Sequence, residues 1–218
     1  MASEEAPNSV LQKTDVQVLA SYPNITSSFS KTLKNNAAYI AYYAMWDKDQ
    51  GTYPAGTGLE FASKVKSGGE WDYKRTLGPS TKYEYNGYAM RGEDLGNVHY
   101  GFVGRAAGFA PTILRSAAGA YQIYSGTSMP NWWSSYFDDP IDQQYINFGI
   151  NMWDNGTLPK TLSAMHTESM TPSIEDAQLF NLLTDSEKKE IEEKAKKNSA
   201  KIKKELKEQE QKQQQENK

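Results

Sequence analysis

The sequence predicts a mainly α (α+β) protein: a compact helical domain with a small β-hairpin, followed by a polar C-terminal helix. Three observations favour this fold class. Apolar residues recur at helical spacing in several segments before residue 165. The stretch 70–90 is rich in Trp and Tyr and contains the turn signals Gly78-Pro79 and Asn86-Gly87, which are typical of a hairpin or meander. Residues 184–218 are dominated by Lys, Glu and Gln, which favours a solvated helix.

The predicted helices of the N-terminal half flank a glycine-rich loop. The first begins at Ser28 or Ser30, because either side chain can cap it, and runs to Trp46. The second covers about Leu59 to Lys66 and ends at Gly68-Gly69, a common C-terminal stop signal. The hairpin of residues 70–90 follows.

A glycine-rich helix pair is predicted at the centre of the domain, between residues 93 and 124. The first helix begins at or near Asp94 as N-cap, and its glycines lie opposite its apolar face. Each glycine costs about 1 kcal/mol relative to alanine, so a neighbouring backbone or a substrate is expected to press against them. Ala110-Pro111 interrupts the pattern, and the second helix covers Thr112–Tyr124. The glycines concerned are Gly101, Gly104 and Gly108.

Two further helices are predicted towards the C-terminus. Asp139-Pro140 opens one that continues to about Trp153, and Asn155-Gly156 ends it. Thr184 and Glu187 form a capping box for the other, which extends to about Gln211 and carries a thin apolar seam that could pair with a partner helix. The predicted organisation is a loosely ordered arm (1–28), a catalytic domain (29–165), a linker (166–183) and a charged helical tail (184–218).

Composition and charge exclude several kinds of function. The absence of cysteine excludes disulfides and thiolate chemistry. No apolar stretch approaches the length of a membrane span, and no signal peptide is visible at the N-terminus. Residues 1–180 carry 13 Lys and Arg against 18 Asp and Glu, whereas residues 181–218 carry 11 against 9. An acidic main body is a poor match for a phosphate-rich partner.

Four clusters could carry chemistry, and each also has a purely structural explanation. The clusters are Glu70–Lys74, Glu93-Asp94 with His99, Arg105, and Asp138–Gln143. As structural alternatives, Asp94 and Asp139 suit helix caps, and Asp142 suits the first turn of a helix. The alternatives for the others are a core histidine for His99 and a surface lysine for Lys74.

Two reaction classes are compatible with these residues. Paired carboxylates can cleave a glycosidic bond when one stays protonated and the other is ionised, and Glu70, Asp72, Glu93 and Asp94 flank a Trp- and Tyr-rich stretch suited to sugar rings. Alternatively, His99 with Lys74 or Arg105 could cleave RNA without a metal. Histidines and metal-binding motifs are too few to predict a metal site, and no cofactor is predicted.

The candidate residues are predicted to converge on one solvent-reachable pocket beside the glycine surface of Gly101, Gly104 and Gly108. The catalytic candidates are Glu70, Asp72, Lys74, Asp94, His99, Arg105 and Asp142. The substrate-binding candidates are Trp71, Tyr73, Asn97, Tyr100 and Gln143.

Four sequence blocks carry a resemblance to a known family. SGGEWDYK (67–74), GNVHYGFVGRAAGF (96–109), AAGAYQ (117–122) and DDPIDQQYINFGI (138–150) resemble the bacterial polymorphic toxin type 44 family, over about Phe61 to Trp153. The family pattern points to residues in each of the three longer blocks. They are Asp72, Lys74, Asn97, His99, Gly101, Arg105, Asp139, Asp142 and Gln143.

The resemblance implies a warhead of a larger secreted effector, delivered into competing bacteria by a specialised secretion system and neutralised in the producer by a cognate immunity protein. We predict an antibacterial toxin that hydrolyses peptidoglycan glycan in the periplasm of the target. The alternatives are a metal-independent ribonuclease that acts in the target cytoplasm, and a non-catalytic binding or adaptor domain that docks through the tail helix.

Overall fold

The computed structural model describes residues 11, 13–115, 140–159 and 176–216. This part of the chain is mainly helical, and its strands form one antiparallel hairpin, so the predicted fold class is confirmed. The elements are α1 (Val16–Leu19), α2 (Thr26–Asp49), α3 (Ala55–Val65), α4 (Tyr73–Leu77), β1 (Lys82–Tyr85), β2 (Tyr88–Arg91), α5 (Gly92–Ala106), α6 (Pro111–Leu114), α7 (Pro140–Asp154), α8 (Asp176–Phe180) and α9 (Asp185–Glu216).

The hairpin turns at the predicted position. Asn86 and Gly87 both have positive φ angles, of 52° and 82°, as a two-residue type I′ turn requires. The first part of the stretch 70–90, predicted as a hairpin or meander, instead contains the helix α4. The side chain of Asp72 accepts a hydrogen bond from the Arg75 amide at 3.2 Å and caps α4, so Lys74 lies on a helix and its predicted strand position is wrong.

Helix α5 lies at the centre of the described fold and packs against α2, α4 and α7. It begins at Gly92, with Arg91 as N-cap, and not at Asp94 as the sequence predicted. Asp94 lies in the first turn, where its carboxylate accepts a hydrogen bond from the Arg91 amide at 2.8 Å. The predicted N-cap is therefore wrong, although Asp94 does stabilise this helix end through a capping box.

The glycine surface of α5 is filled by protein atoms. A methyl group at Gly101 would overlap the carbonyl oxygen of Ile146, and one at Gly149 would overlap the carbonyl oxygen of Val98, so α5 and α7 cross with their backbones in close approach. Gly104 lies against Leu114. The expected neighbouring backbone is confirmed at Gly101, and the predicted pocket beside this surface is wrong for the part occupied by α7 and α6.

Several predicted boundaries change. Helix α2 begins at Thr26, and α3 begins at Ala55 because the Asp47 carboxylate accepts a hydrogen bond from the Thr57 amide at 2.7 Å in the first turn of α3. Helix α7 ends at Asp154, before Asn155-Gly156 as predicted. Helix α6 (Pro111–Leu114) covers the start of the predicted helix Thr112–Tyr124 and ends before Arg115, whereas residues 116–124, like the Asp139 cap, lie outside the described residues.

The C-terminal helix α9 packs on α2 and α3 of the same chain. Ile191, Ala195 and Ile202 are buried, so the expectation of a solvated helix is wrong for this part of it. Few apolar residues are enough to hold this helix against the domain, because polar side chains on the same face form hydrogen bonds with it. Asn198 donates a hydrogen bond to the Tyr43 hydroxyl at 2.9 Å, and the Ser199 and Thr52 hydroxyls are hydrogen-bonded to each other at 2.7 Å.

Candidate functional site

The side chain of Asp142 lies where three helices meet. It belongs to the first turn of α7 and is 21% exposed. The Asn97 amide of α5 donates a hydrogen bond to Oδ1 at 2.5 Å, and the Lys74 ammonium of α4 lies 3.7 Å from Oδ2. Both contacts are of the kind that stabilise a negative oxygen. A held, partly exposed carboxylate of this kind can act as a base or a nucleophile.

The local sequence explains why these three side chains meet. A methyl group at Gly96 would overlap the Lys74 side chain, so the glycine allows α4 to lie directly against α5. The Gly101–Gly149 crossing brings α7 equally close on another side of α5. Asp72 holds the start of α4 and also accepts a hydrogen bond from the Gly68 amide at 2.8 Å. Asp72 therefore has a structural role.

Asn97 is fully buried between α5 and α7. Its amide nitrogen binds Asp142, whereas its Oδ1 atom has no hydrogen-bond partner among the described residues. A buried carbonyl without a partner is costly, at about 1–3 kcal/mol. The Asn97 amide nitrogen is therefore committed to the Asp142 carboxylate.

His99 lies in a second group, on a different side of α5, because residues two apart on a helix point about 200° from each other. The ring is 1% exposed and contacts the rings of Tyr73 and Trp71, with centroid distances of 4.6 and 5.5 Å. Asn36 of α2 contacts the His99 Nε2 atom at 2.9 Å through its amide nitrogen. Burial lowers the pKa of His99 from 6.5 to about 3, so the ring is neutral at physiological pH.

Asp94 and Glu70 are each committed to a cation. The Arg91 guanidinium donates hydrogen bonds to both carboxylate oxygens of Asp94, at 3.0 and 2.8 Å, and these bonds raise the pKa of Arg91. Glu70 is exposed and binds the Lys64 ammonium at 2.5 Å. Each carboxylate is therefore paired with a cation, Asp94 with Arg91 and Glu70 with Lys64.

The remaining predicted residues have structural positions. Arg105 binds Asp154 at 2.8 Å and the Phe109 carbonyl oxygen at 2.5 Å, about 12 Å along α5 from Asn97. Tyr100 is buried and packs against the Phe61 ring at 5.3 Å. Gln143 is partly buried, next to Asp142 in the first turn of α7. The structure thus joins Lys74, Asn97 and Asp142 directly, places Trp71, Tyr73 and His99 in a neighbouring group, and separates Arg105 from both.

Sequence reasoning missed Asn36 and the buried Glu60. Glu60 accepts hydrogen bonds at 2.7 Å from both Tyr39 of α2 and Lys194 of α9, and it is almost fully buried. Asn36 lies three residues after Leu33 and four before Ile40, on the inward stripe of α2. A polar residue within such a stripe was the available signal.

Within the described residues, no group of three or more His, Cys, Asp or Glu side chains could hold a metal ion. None of the described helices combines the length and apolar character needed to cross a membrane.

One protein-family model matches part of the chain. Residues 60–155 match the model of the family described as bacterial toxin 44. The match contains α4, the hairpin, α5 and α7, and therefore Lys74, Asn97 and Asp142. No curated protein and no solved structure matches the chain. The resemblance to bacterial polymorphic toxin type 44 that the sequence blocks carry is confirmed.

Proposed function

Starting from the bacterial toxin 44 domain in residues 60–155, we propose that this toxin is a hydrolase of peptidoglycan glycan and that Asp142 is its catalytic carboxylate. The observation that carries the proposal is the arrangement of Asp142 with Asn97 and Lys74. Among the predicted catalytic carboxylates, Asp142 alone combines partial exposure with contacts from two other helices.

The contacts of Asp142 fit a base or nucleophile, because the Asn97 amide and the Lys74 ammonium both approach its carboxylate oxygens. In glycoside hydrolysis such a carboxylate activates a water molecule or attacks the anomeric carbon, while a second acid protonates the leaving oxygen. Within the described residues, Asp94 is bound by Arg91 and Glu70 by Lys64, so neither supplies that acid.

The surroundings of Asp142 favour a sugar over a polyanion. Tyr73 and Tyr145 are partly exposed on α4 and α7, the two helices that carry Lys74 and Asp142, and aromatic rings of this kind stack on sugar faces. The acidic balance of residues 1–180 disfavours a phosphate backbone. Lys74, the cation that contacts Asp142, is already paired with that carboxylate.

The ribonuclease alternative depends on His99 moving protons at a solvent-facing site. The buried position of His99 and its low pKa oppose that role, since a base or acid should titrate near the working pH. A non-catalytic binding domain is the outcome to expect if the protein degrades neither substrate.

The direct test measures release of soluble muropeptides from purified sacculi between about pH 4 and pH 8, with degradation of total RNA measured in parallel. We expect muropeptide release by the native protein and a loss of about 10²–10⁴-fold in Asp142→Asn. Asp154→Asn is the matched control, because Asp154 lies on the same helix and also binds a cation, but at the other end. No release at any pH, or equal loss in the control, would contradict the proposal.

The family also motivates a proposal for delivery and partners. The toxin would act in the periplasm of a target cell, carried there by a larger effector or a secretion-system carrier, and a cognate immunity protein would protect the producer. Expression with and without a periplasmic export signal tests the compartment. Growth inhibition that requires the signal supports the envelope as target, whereas inhibition without it supports a cytoplasmic substrate.

A further inference from the structure

The amide nitrogen of Asn36 makes two contacts that set the direction of hydrogen bonding at Tyr73. It lies 2.8 Å from the Tyr73 hydroxyl oxygen and 2.9 Å from the His99 Nε2 atom. An amide nitrogen carries two hydrogens, and both are used here. The Tyr73 oxygen therefore accepts from Asn36, and the His99 Nε2 atom is the unprotonated acceptor of the ring.

This arrangement leaves the hydroxyl hydrogen of Tyr73 for another acceptor. No acceptor for it lies among the described residues, and the side chain is only partly buried. Burial raises the pKa of Tyr73, so the phenol keeps its proton at physiological pH. The ring is held in place by Phe29 at 5.6 Å and His99 at 4.6 Å.

Tyr73 is the neighbour of Lys74 on α4, and Lys74 contacts Asp142. The two groups of side chains lie on different sides of α5, and α4 connects them. A glycan strand is an extended polymer with hydroxyl and ether oxygens on every ring, so one strand bound at Asp142 can extend along α4 to Tyr73, the partly exposed member of the second group.

We propose that Tyr73 donates a hydrogen bond to an oxygen of the glycan bound beside Asp142, and that Asn36 is a positioning residue that directs this donor by occupying the phenol oxygen. The inference rests on the proposed function for the identity of the substrate. It adds Asn36 of α2, which lies outside the region matched by the family model, to the residues of the proposed site.

The His99 tautomer reports the orientation of Asn36 without any activity measurement. With the amide nitrogen towards the ring, neutral His99 carries its proton on Nδ1, whereas the reversed amide would require it on Nε2. Nitrogen-15 NMR of histidine-labelled protein separates the two forms. The chain has two histidines, so His166→Gln assigns the signals. We expect the Nδ1–H form, and the Nε2–H form would overturn the proposal.

Asn36→Asp keeps the size of the side chain but turns a donor into an acceptor. We expect the His99 proton to move to Nε2, and the Tyr73 hydroxyl to donate to the new carboxylate and not to the substrate. Asn35→Asp is the matched control, since Asn35 is the preceding residue of α2 and is exposed. It should leave the tautomer and the activity unchanged.

Activity then tests the role of Tyr73. We expect Tyr73→Phe and Asn36→Asp each to lower muropeptide release about tenfold, the loss for one hydrogen bond. In the double variant the losses should not add, because Asn36 acts through the Tyr73 hydroxyl. Unchanged activity of Tyr73→Phe, or additive losses, would overturn the proposal.

Inactivity of the native protein on sacculi would contradict the proposed substrate alone. The same variants are then compared by growth inhibition, which does not depend on the identity of the substrate. Equal toxicity of the native protein and Tyr73→Phe would overturn the role of Tyr73 in that case.

Discussion

Protonation of His99 should destabilise the fold at acidic pH, because the charged ring would be buried away from water in the folded protein. The ring is 1% exposed, and burial lowers its pKa from 6.5 to about 3. Between these two values the unfolded chain binds one proton more than the folded one. The free energy of unfolding should therefore be highest above pH 6.5 and fall as the pH drops below it.

The magnitude follows from the two pKa values. Well below pH 6.5 the loss approaches about 1.4 kcal/mol per pH unit, and between about pH 7.5 and pH 5 it sums to about 2 kcal/mol. Urea denaturation at several pH values in this range measures it. Carboxylates contribute to the same curve, so the informative quantity is the difference from a variant without the ring.

The variant His99→Gln keeps a hydrogen-bond acceptor for Asn36 but does not titrate. Its free energy of unfolding should fall by about 2 kcal/mol less than that of the native protein over the same pH range. The control His166→Gln removes the other histidine and should retain the native slope. Parallel curves for the native protein and His99→Gln would refute the assignment of a buried neutral ring.

Two further predictions concern packing. Gly101→Ala should lower the free energy of unfolding by about 2 kcal/mol, because the new methyl group overlaps the Ile146 carbonyl and forces α5 and α7 apart; an unchanged urea midpoint would contradict the close crossing. Ile191→Ala should cost about 3 kcal/mol because the side chain is buried, whereas Leu206→Ala, at 37% exposure on the same helix, should cost much less. Equal costs measured by urea denaturation would show that α9 does not pack on the domain in solution.

Local signals predicted most of the secondary structure correctly. The turn at Asn86-Gly87 follows from residues that tolerate positive φ, and the end of α7 follows from Asn155-Gly156. The sequence predicts the N-cap of α5 three residues too late, at Asp94 and not at Arg91, because arginine is an unusual N-cap. The guanidinium and the backbone amide of Arg91 both donate hydrogen bonds to Asp94, and helix-capping preferences do not predict this pairing.

The features that the sequence did not predict depend on contacts between residues far apart in the chain. The tail helix has few apolar residues and resembles a solvated helix, but Ser199 and Asn198 find partners on elements far away in the chain. Lys74 and Asp142 were both candidates from their own blocks, whereas their contact depends on the glycines that let α4 and α7 approach α5. Asn36 lies outside every block that resembles the family, so no motif pointed to it.

The most direct test of the central claim is the chemical nature of the ends created in digested sacculi. A glycan hydrolase with Asp142 as its catalytic carboxylate should release fragments with new reducing sugar ends, and Asp142→Asn should release almost none while Asp154→Asn releases them normally. New amino or peptide ends without new reducing ends, or undiminished reducing ends from Asp142→Asn, would contradict the assignment.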